Sequence, residues 1–341
     1  MKCVLHIGTE KTGSTSIQKF LYNNFSEFDK NKIYISRSLL QTPNNRRIVL
    51  AFQSRLDDWT RRNNIHSLEE KNEFFSDFPE NFSLEIQNIR KNYDYYLISS
   101  EHFHSRLTKQ KDINKLASFL KTQFDTITVI GYFREQTELV TSLYSTALKI
   151  DSSVSLESFA KLASPENYYY NYLNIADQWS FAFGKNNCFW RIFSKEQLLK
   201  QDVVEDFLSL LPIRNKITNE NVEKYNNSLN YLQSIAFKKI NELVPYWEQQ
   251  ENKNVNLNML LKKEIKNIDF GINNKMILEN KSEIFKKFET SNDEFFRKYF
   301  NTSNQFKIEE YKEINQHLDQ KQIASLVEQI VERIVTTMLK K

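Results

Sequence analysis

Near its start the chain carries a short loop bounded by two glycines, between an apolar segment and one with helical spacing. The segment Cys3–Ile7 is apolar, the loop reads GTEKTG from Gly8 to Gly13, and Ser14–Tyr22 repeats its apolar residues as a helix does. A strand, a tight turn and a helix in this order bring backbone amides together at a helix N-terminus. The stretch therefore predicts a strand–loop–helix unit that holds an anion.

The rest of the first two thirds of the chain alternates short apolar runs with longer helical segments. Four runs rich in β-branched or aromatic residues follow the first strand, namely Ile33–Ile35, Tyr95–Ser99, Ile127–Phe133 and Cys188–Phe193. The helical segments are Asn81–Lys91, Ile113–Gln123, Glu135–Leu148, Tyr168–Phe183 and Val203–Leu211. This rhythm predicts an α/β fold with a central, mostly parallel sheet of about five strands and helices on both faces.

The last third of the chain has a different character. From about residue 219 the strand-like runs disappear, and polar residues alternate with helically spaced apolar ones. We expect one domain over 1–341, with an α/β core over 1–215 and a helical extension over 219–341 that packs on it. The final helix carries an apolar stripe of Ile323, Leu326, Val327, Ile330, Val331, Ile334 and Met338. Its spacing suits packing on the core or a homodimer contact.

Composition narrows the class of protein. Hydrophobic residues make up 40% of the 341 residues and charged residues 26%, which is ordinary for a soluble protein with a core. The net charge of +4 suits an anionic ligand but falls short of a nucleic-acid-binding signature. No apolar run approaches the roughly 20 residues of a membrane helix, and we find no signal-peptide pattern. The expected protein is cytoplasmic, and its two cysteines, Cys3 and Cys188, are expected to be core residues.

The loop differs from the nucleoside-triphosphate pattern G-x-x-x-x-G-K-[ST] at one decisive position. Ser14 follows the second glycine where that pattern has lysine, and a lysine stands inside the loop instead, at Lys11. The amides of Thr12, Gly13, Ser14 and Thr15 are still expected to face one concavity, with hydroxyls from Thr15 and Ser16. A later strand ends in Arg134 where a triphosphate enzyme usually places a metal-binding Asp, which favours a second anionic group.

Two motifs resemble those of the sulfotransferases that use 3′-phosphoadenosine 5′-phosphosulfate (PAPS). The stretch EKTGSTSIQ is similar to their 5′-phosphosulfate loop, P-K-x-G-[ST]-[ST], with Glu10 in place of the proline. The stretch FREQTELVTSLYS is similar to their 3′-phosphate motif, R-D-P-x-x-R-x-x-S-x-Y, and Arg134, Ser142 and Tyr144 keep its register. Departures from that second motif occur at Glu135, Gln136 and Leu139. Divergent bacterial members found beside surface-polysaccharide genes show similar loops.

The resemblance implies PAPS as cosubstrate, no required metal, and an acceptor hydroxyl on a carbohydrate or glycoconjugate. Lys11 would stabilise the leaving oxygen. The 5′ end would be held by Lys11, Thr12, Gly13, Ser14, Thr15 and Ser16, and the 3′-phosphate by Arg134 and Ser142. The base that deprotonates the acceptor is expected at the carboxyl end of a strand, in SSEHFH, where Glu101 is the first candidate and His102 the second. His104 is expected either to cap a helix or to pack, and His6 is expected to be an interior histidine of the first strand.

Two other classes of function remain open at this stage. An unusual kinase on a phosphate-binding loop would require Mg²⁺ and an acidic ligand for it, and a noncatalytic binding protein would keep the fold without the chemistry. Two arginine features also have two interpretations each. Arg191 either forms a buried ion pair or faces the site. A basic stretch either lines an anionic acceptor or is a solvated helix face, and its arginines are Arg46, Arg47, Arg55, Arg61 and Arg62.

Overall fold

The computed structural model describes residues 1–39, 43–215, 217, 228–245, 255–268, 276, 278–308 and 317–339. The chain divides into two compact units. The first unit comprises Met1–Arg134, Tyr168–Tyr225 and Ser291–Asn304. The second comprises Glu135–Asn167, Asn226–Thr290 and Gln305–Lys341. The arrangement of 1–215 and 219–341 as core and extension of one domain stays a prediction.

The first unit is built on a five-stranded sheet in which every strand runs parallel to its neighbours. The strands are β1 (Lys2–His6), β2 (Ile33–Ile35), β3 (Tyr95–Ser99), β4 (Ile127–Phe133) and β5 (Cys188–Ile192). Their order across the sheet is β2-β3-β1-β4-β5. Nearly every residue of β1, β3 and β4 is buried, as continuous apolar runs in a parallel sheet require. The predicted α/β fold is confirmed.

Helices make up most of the remainder. They are α1 (Ser14–Asn23), α2 (Phe25–Lys30), α3 (Arg46–Phe52), α4 (Asp58–Arg62), α5 (Leu68–Phe74), α6 (Phe78–Ile89), α7 (His102–Arg106), α8 (Gln110–Gln123), α9 (Gln136–Ile150), α10 (Leu156–Ala160), α11 (Tyr172–Phe183), α12 (Val203–Ser209), α13 (Tyr231–Leu243), α14 (Val255–Asn267), α15 (Lys281–Lys287), α16 (Glu289–Tyr299) and α17 (His317–Leu339). Among the residues that the structure describes, no helix combines the length and apolar character needed to cross a membrane.

One buried polar group joins three elements on one side of the sheet. The Asp206 carboxylate on α12 is fully buried and accepts hydrogen bonds from Tyr132 Oη at 2.8 Å and from Arg191 Nε at 3.0 Å. Arg191 lies on β5 and forms an ion pair with this carboxylate, so the ion-pair interpretation of Arg191 is the correct one. Because both the acid and its partners are satisfied, this network ties α12 to β4 and β5 without an uncompensated buried charge.

The second unit is helical and centres on α13, which packs on α9, α14 and α17. The Asn241 side chain donates to Leu148 O at 2.9 Å and Ser152 O at 2.7 Å, which satisfies carbonyls at the C-terminal end of α9. On α17 the structure buries Val327, Val331 and Val335. Of the other positions in the predicted stripe, Ile323 is half-buried, and four are 41–57% exposed, namely Leu326, Ile330, Ile334 and Met338. The buried face of α17 is therefore narrower than the predicted stripe.

Candidate functional site

The loop between β1 and α1 is held against the neighbouring strand by its own polar groups. Thr9 donates to Tyr132 O through both its amide, at 3.1 Å, and its hydroxyl, at 2.9 Å. The Thr12 hydroxyl donates to Thr9 O at 2.6 Å. Gly8 and Gly13 adopt φ values of +90° and +79°, which residues with a side chain rarely adopt. The Thr12 hydroxyl thus donates within the loop, and toward an anion Thr12 can donate only from its amide.

Helix α1 presents its N-terminal amides at the end of this loop. Gly13 is the residue before the first turn, and that turn contains no acidic residue. The amides of Ser16 and Ile17 donate to Gly13 O at 2.9 and 3.1 Å. The amides of Ser14 and Thr15 come too early in the helix to reach an intrahelical acceptor, so they are available to an anion. Ser16 therefore contributes its hydroxyl at most, whereas the predicted amide cluster at Ser14 and Thr15 fits the geometry.

Two cationic side chains meet at the loop. Burial lowers the pKa of the half-buried Lys11, the carboxylates of Glu10 and Glu101 oppose that change, and Arg134 adds to it. Arg134 Nη1 donates to Lys11 O at 3.4 Å, and its guanidinium lies 5.7 Å from the centre of the Phe193 ring. A site that brings Lys11 and Arg134 together beside helix amides is suited to a ligand with more than one negative charge.

The carboxylate of Glu10 faces the protein interior and anchors the loop. Tyr169 Oη donates to Glu10 Oε2 at 2.7 Å. His104 is fully buried, and its Nε2 lies 2.9 Å from Tyr169 O. Burial lowers the pKa of His104 to about 4, so this imidazole is neutral at ordinary pH. The predicted packing role of His104 is confirmed, and the partnership between Glu10 and Tyr169 had no signal in the sequence.

Glu101 follows β3 and lies directly against the loop. A Cβ atom on Gly8 would stand 2.9 Å from Glu101 Cα, so the two backbones are in van der Waals contact. Glu101 Oε2 accepts two amide hydrogen bonds, from Gln18 Nε2 at 2.6 Å and from Asn44 Nδ2 at 2.7 Å. Sequence reasoning missed both donors. Gln18 stands one turn after Ser14 on α1 and was accessible to a helical projection, but Asn44 lies in a loop with no pattern.

A cavity of about 280 Å³ opens beside these groups. It is lined by Thr15, Gln18, Pro43, Asn44, Arg46, Glu101 and His102. The predicted anion loop, represented by Thr15, and both predicted bases therefore share one cavity. Burial lowers the pKa of His102, with Arg46 and Arg106 acting in the same direction and Glu101 against it. This favours the neutral imidazole, which can accept a proton.

The predicted basic stretch does not form a common wall. Arg46 alone of its five arginines lines the cavity, and it is paired with Asp57 at 2.8 Å and Asp58 at 2.6 Å. Arg55 donates to Ser105 O at 2.6 Å. The remaining three are exposed, namely Arg47, Arg61 and Arg62. For those three the interpretation as a solvated helix face holds.

The other residues for which the sequence predicts a role are Ser142, His6 and the two cysteines. Ser142 is a half-buried residue of α9 in the second unit, where Tyr144 Oη donates to Val154 O at 3.0 Å. The pairing of Arg134 and Ser142 around one phosphate stays a prediction. His6 is fully buried, with Nδ1 2.8 Å from Ser99 Oγ, as expected of an interior histidine. Cys3 is buried and Cys188 half-buried, and both are free thiols.

Within the described ranges, no group of three or more His, Cys, Asp or Glu side chains is arranged to hold a metal ion. No protein-family model matches the chain, and no solved structure matches it. The chain is similar to an uncharacterized protein of Archaeoglobus fulgidus, with 28% identity over 245 residues. The matched region covers 72% of this chain and 64% of that protein, so the chain spans less than two thirds of its relative.

Proposed function

We propose that this protein transfers a sulfuryl group from PAPS to a hydroxyl group of a carbohydrate or glycoconjugate. The observation that supports this most is the proximity of Lys11 and Glu101, the expected leaving-group cation and the expected base. The Gly8 backbone packs against Glu101, and the Glu101 carboxylate is close enough to affect the Lys11 ammonium. Sulfuryl transfer needs these two functions on opposite sides of one sulfur atom.

The donor nucleotide would be bound through its phosphates. The amides of Ser14 and Thr15 at the start of α1 and the side chain of Lys11 would hold the 5′-phosphosulfate. The guanidinium of Arg134, with Ser142 as its predicted partner, would hold the 3′-phosphate. The residues present fit such a ligand, because two cationic side chains flank a helix N-terminus that has no acidic residue in its first turn.

The chain's own residues would perform the proton transfer and stabilise the charge. Glu101 takes the proton of the acceptor hydroxyl as the new O–S bond forms, and the bond from sulfur to the donor's phosphate oxygen breaks. Lys11 stabilises the negative charge on that oxygen, and the released product is 3′-phosphoadenosine 5′-phosphate. Because Gln18 and Asn44 both donate to Glu101 Oε2, they fix the carboxylate and leave Oε1 for the acceptor. His102, in the same cavity, is the second candidate for the base.

Thermal unfolding with three nucleotides tests the proposal. We expect 3′-phosphoadenosine 5′-phosphate to raise the melting temperature by several degrees, since a ligand at 100 times its Kd adds about 2.7 kcal/mol. ADP, which lacks the 3′-phosphate, should give a much smaller shift. A shift with ATP–Mg²⁺ alone would instead identify a kinase. Binding of the 3′-phosphorylated nucleotide without sulfate transfer to any saccharide would favour a noncatalytic binding protein.

A further inference from the structure

Three residues that line the 280 Å³ cavity each keep one buried polar atom without a hydrogen-bond partner among the described residues. These atoms are Asn44 Oδ1, Arg46 Nε and His102 Nδ1. Asn44 is only 9% exposed, and its other amide atom already donates to Glu101. Buried polar atoms in folded proteins nearly always have a partner, and a ligand in this cavity would supply one to these atoms. The ligand must offer a hydrogen-bond donor to Asn44 Oδ1 and an acceptor to Arg46 Nε.

The charge of Arg46 is already neutralised by protein carboxylates. Arg46 lies 2.8 Å from Asp57 and 2.6 Å from Asp58, and Arg106 lies 3.6 and 3.4 Å from the same two aspartates. Two arginines thus face two aspartates, and the cavity wall adds the carboxylate of Glu101. A ligand carboxylate beside Arg46 would find that cation already paired with aspartates and would be repelled by the carboxylate of Glu101.

We infer that the cavity binds one neutral, polyhydroxylated sugar ring and discriminates against sugars that carry a carboxylate. The inference rests on the proposed function in one respect, since it makes this ring the acceptor of the sulfuryl group. A hydroxyl both donates and accepts, so adjacent hydroxyls of one ring can satisfy Asn44 Oδ1 and Arg46 Nε together. A cavity of about 280 Å³ lies just below the usual range of ligand-site volumes and suits a single ring.

Two matched pairs of glycosides test the inference. The probes are p-nitrophenyl β-glucoside with p-nitrophenyl β-glucuronide, and p-nitrophenyl β-galactoside with p-nitrophenyl β-galacturonide. Each pair differs only in a hydroxymethyl against a carboxylate. Binding is measured by saturation-transfer NMR on the full chain without nucleotide. Sulfate transfer from PAPS is then measured as kcat/KM for the same four compounds. For at least one pair, we expect the neutral glycoside to bind about ten times more tightly than its uronide. Its kcat/KM should also be about tenfold higher. A factor of this size is the effect of one unit charge at close range.

A charge variant provides the specific control. Asp58→Asn removes one of the two carboxylates opposite Arg46 but spares Asp57, which caps α4. It should lower the preference for the neutral sugar by about tenfold by improving binding of the uronide. The matched control is Glu69→Gln, which makes the same change in net charge at an exposed position outside the cavity and should leave the preference unchanged.

The outcomes separate this inference from the proposed function. Stabilisation by 3′-phosphoadenosine 5′-phosphate together with equal or better use of the uronides would overturn the neutral-sugar assignment and leave the transferase proposal standing. Preferential binding of a neutral glycoside without stabilisation by the nucleotide would keep the sugar site and refute the transferase. NMR spectra without saturation transfer to any of the four compounds would overturn the sugar site itself.

Discussion

At the scale of single residues, Gly8 shows how strongly the loop is constrained. Gly8 and Gly184 have almost the same φ, +90° and +91°, so alanine at either position would be strained at a cost of about 1–3 kcal/mol. Their surroundings differ. A Cβ on Gly8 would meet the backbone of Glu101 at 2.9 Å, whereas on Gly184 the nearest atom is the Asn187 side-chain amide at 3.2 Å. Backbone cannot move aside as a side chain can.

We therefore predict that Gly8→Ala destabilises the protein more than Gly184→Ala. The difference should be about 1–3 kcal/mol, the usual cost of overpacking, and urea unfolding of the two variants measures it. Gly184→Ala is the matched control for the strain of positive φ. Equal losses for the two variants would mean that the loop and Glu101 are not in contact in solution.

Lys11 carries the second prediction at this scale. Under the proposed function, Lys11→Ala should lower kcat by about 10²–10³, because the ammonium stabilises charge that develops only as the sulfuryl group leaves. The Kd for 3′-phosphoadenosine 5′-phosphate should change much less. Steady-state kinetics and calorimetric titration measure the two quantities, and exposed Lys91→Ala serves as the control. A parallel loss in kcat and affinity would make Lys11 a binding residue only.

At the scale of elements, α17 offers a direct test of which face is packed. Val331 is 3% exposed and its neighbour Ile330 is 57% exposed, so one side chain is buried and the other faces solvent. Val331→Ala should destabilise the protein by about 2 kcal/mol through lost burial and a small cavity. Ile330→Ala should change stability by less than about 0.5 kcal/mol. Chemical unfolding at two protein concentrations checks both values. A concentration-dependent loss for Ile330→Ala would instead indicate that a second copy covers this face.

The elements also show what the sequence could and could not predict. The five strands were predictable because a parallel sheet buried on both faces demands continuous apolar runs, which stand out against polar helices. Helices α3, α4 and α5 have five to seven residues, too few for a hydrophobic period to emerge, and their bounds were not predicted. On α17 the stripe was predictable, but its division into a packed and an exposed half depends on how α13 meets it.

The sequence predicted which backbone segments meet at the candidate site, but not the side-chain contacts within it. Gly8, Lys11 and Glu101 follow strands of one parallel sheet, whose carboxyl ends share an edge, so their proximity follows from topology. The donors to Glu101 from Gln18 and Asn44 are separated from it by 83 and 57 residues. Contacts of that kind depend on side-chain packing in the finished fold and leave no local pattern.

At the scale of the whole molecule, the two units bury different ionisable groups. The first unit buries His6 and His104, and burial lowers their pKa values to about 3 and about 4. The second buries Lys262, whose pKa burial lowers to about 8, and Glu135, whose pKa burial raises. Lys262 is protonated in both the folded and unfolded chain below pH 7. Acid therefore destabilises the first unit through its histidines, while Glu135 acts in the opposite direction in the second.

The sign of this effect leads to a measurable pH dependence. An unfolded histidine has a pKa near 6.5, so between about pH 6.5 and pH 4 the unfolded chain binds protons that buried His6 and His104 do not. Their contribution to stability is fully present above pH 6.5 and is lost as the pH falls toward the folded pKa values. Each histidine contributes a slope of up to about 1.4 kcal/mol per pH unit.

We predict that urea unfolding at pH 6.5, 5.5 and 4.5 shows a falling free energy of unfolding. His104→Gln should make the free energy of unfolding fall less steeply with falling pH, by up to about 1.4 kcal/mol per pH unit, because glutamine does not titrate. This change in slope is expected even where the substitution lowers stability at every pH. His66→Gln, the same substitution at an exposed position, is the matched control. If His104→Gln and the parent chain lose stability equally steeply, then His104 is protonated in the folded protein. In that case the buried contact between His104 and Tyr169 that holds the Glu10 end of the loop does not persist in solution.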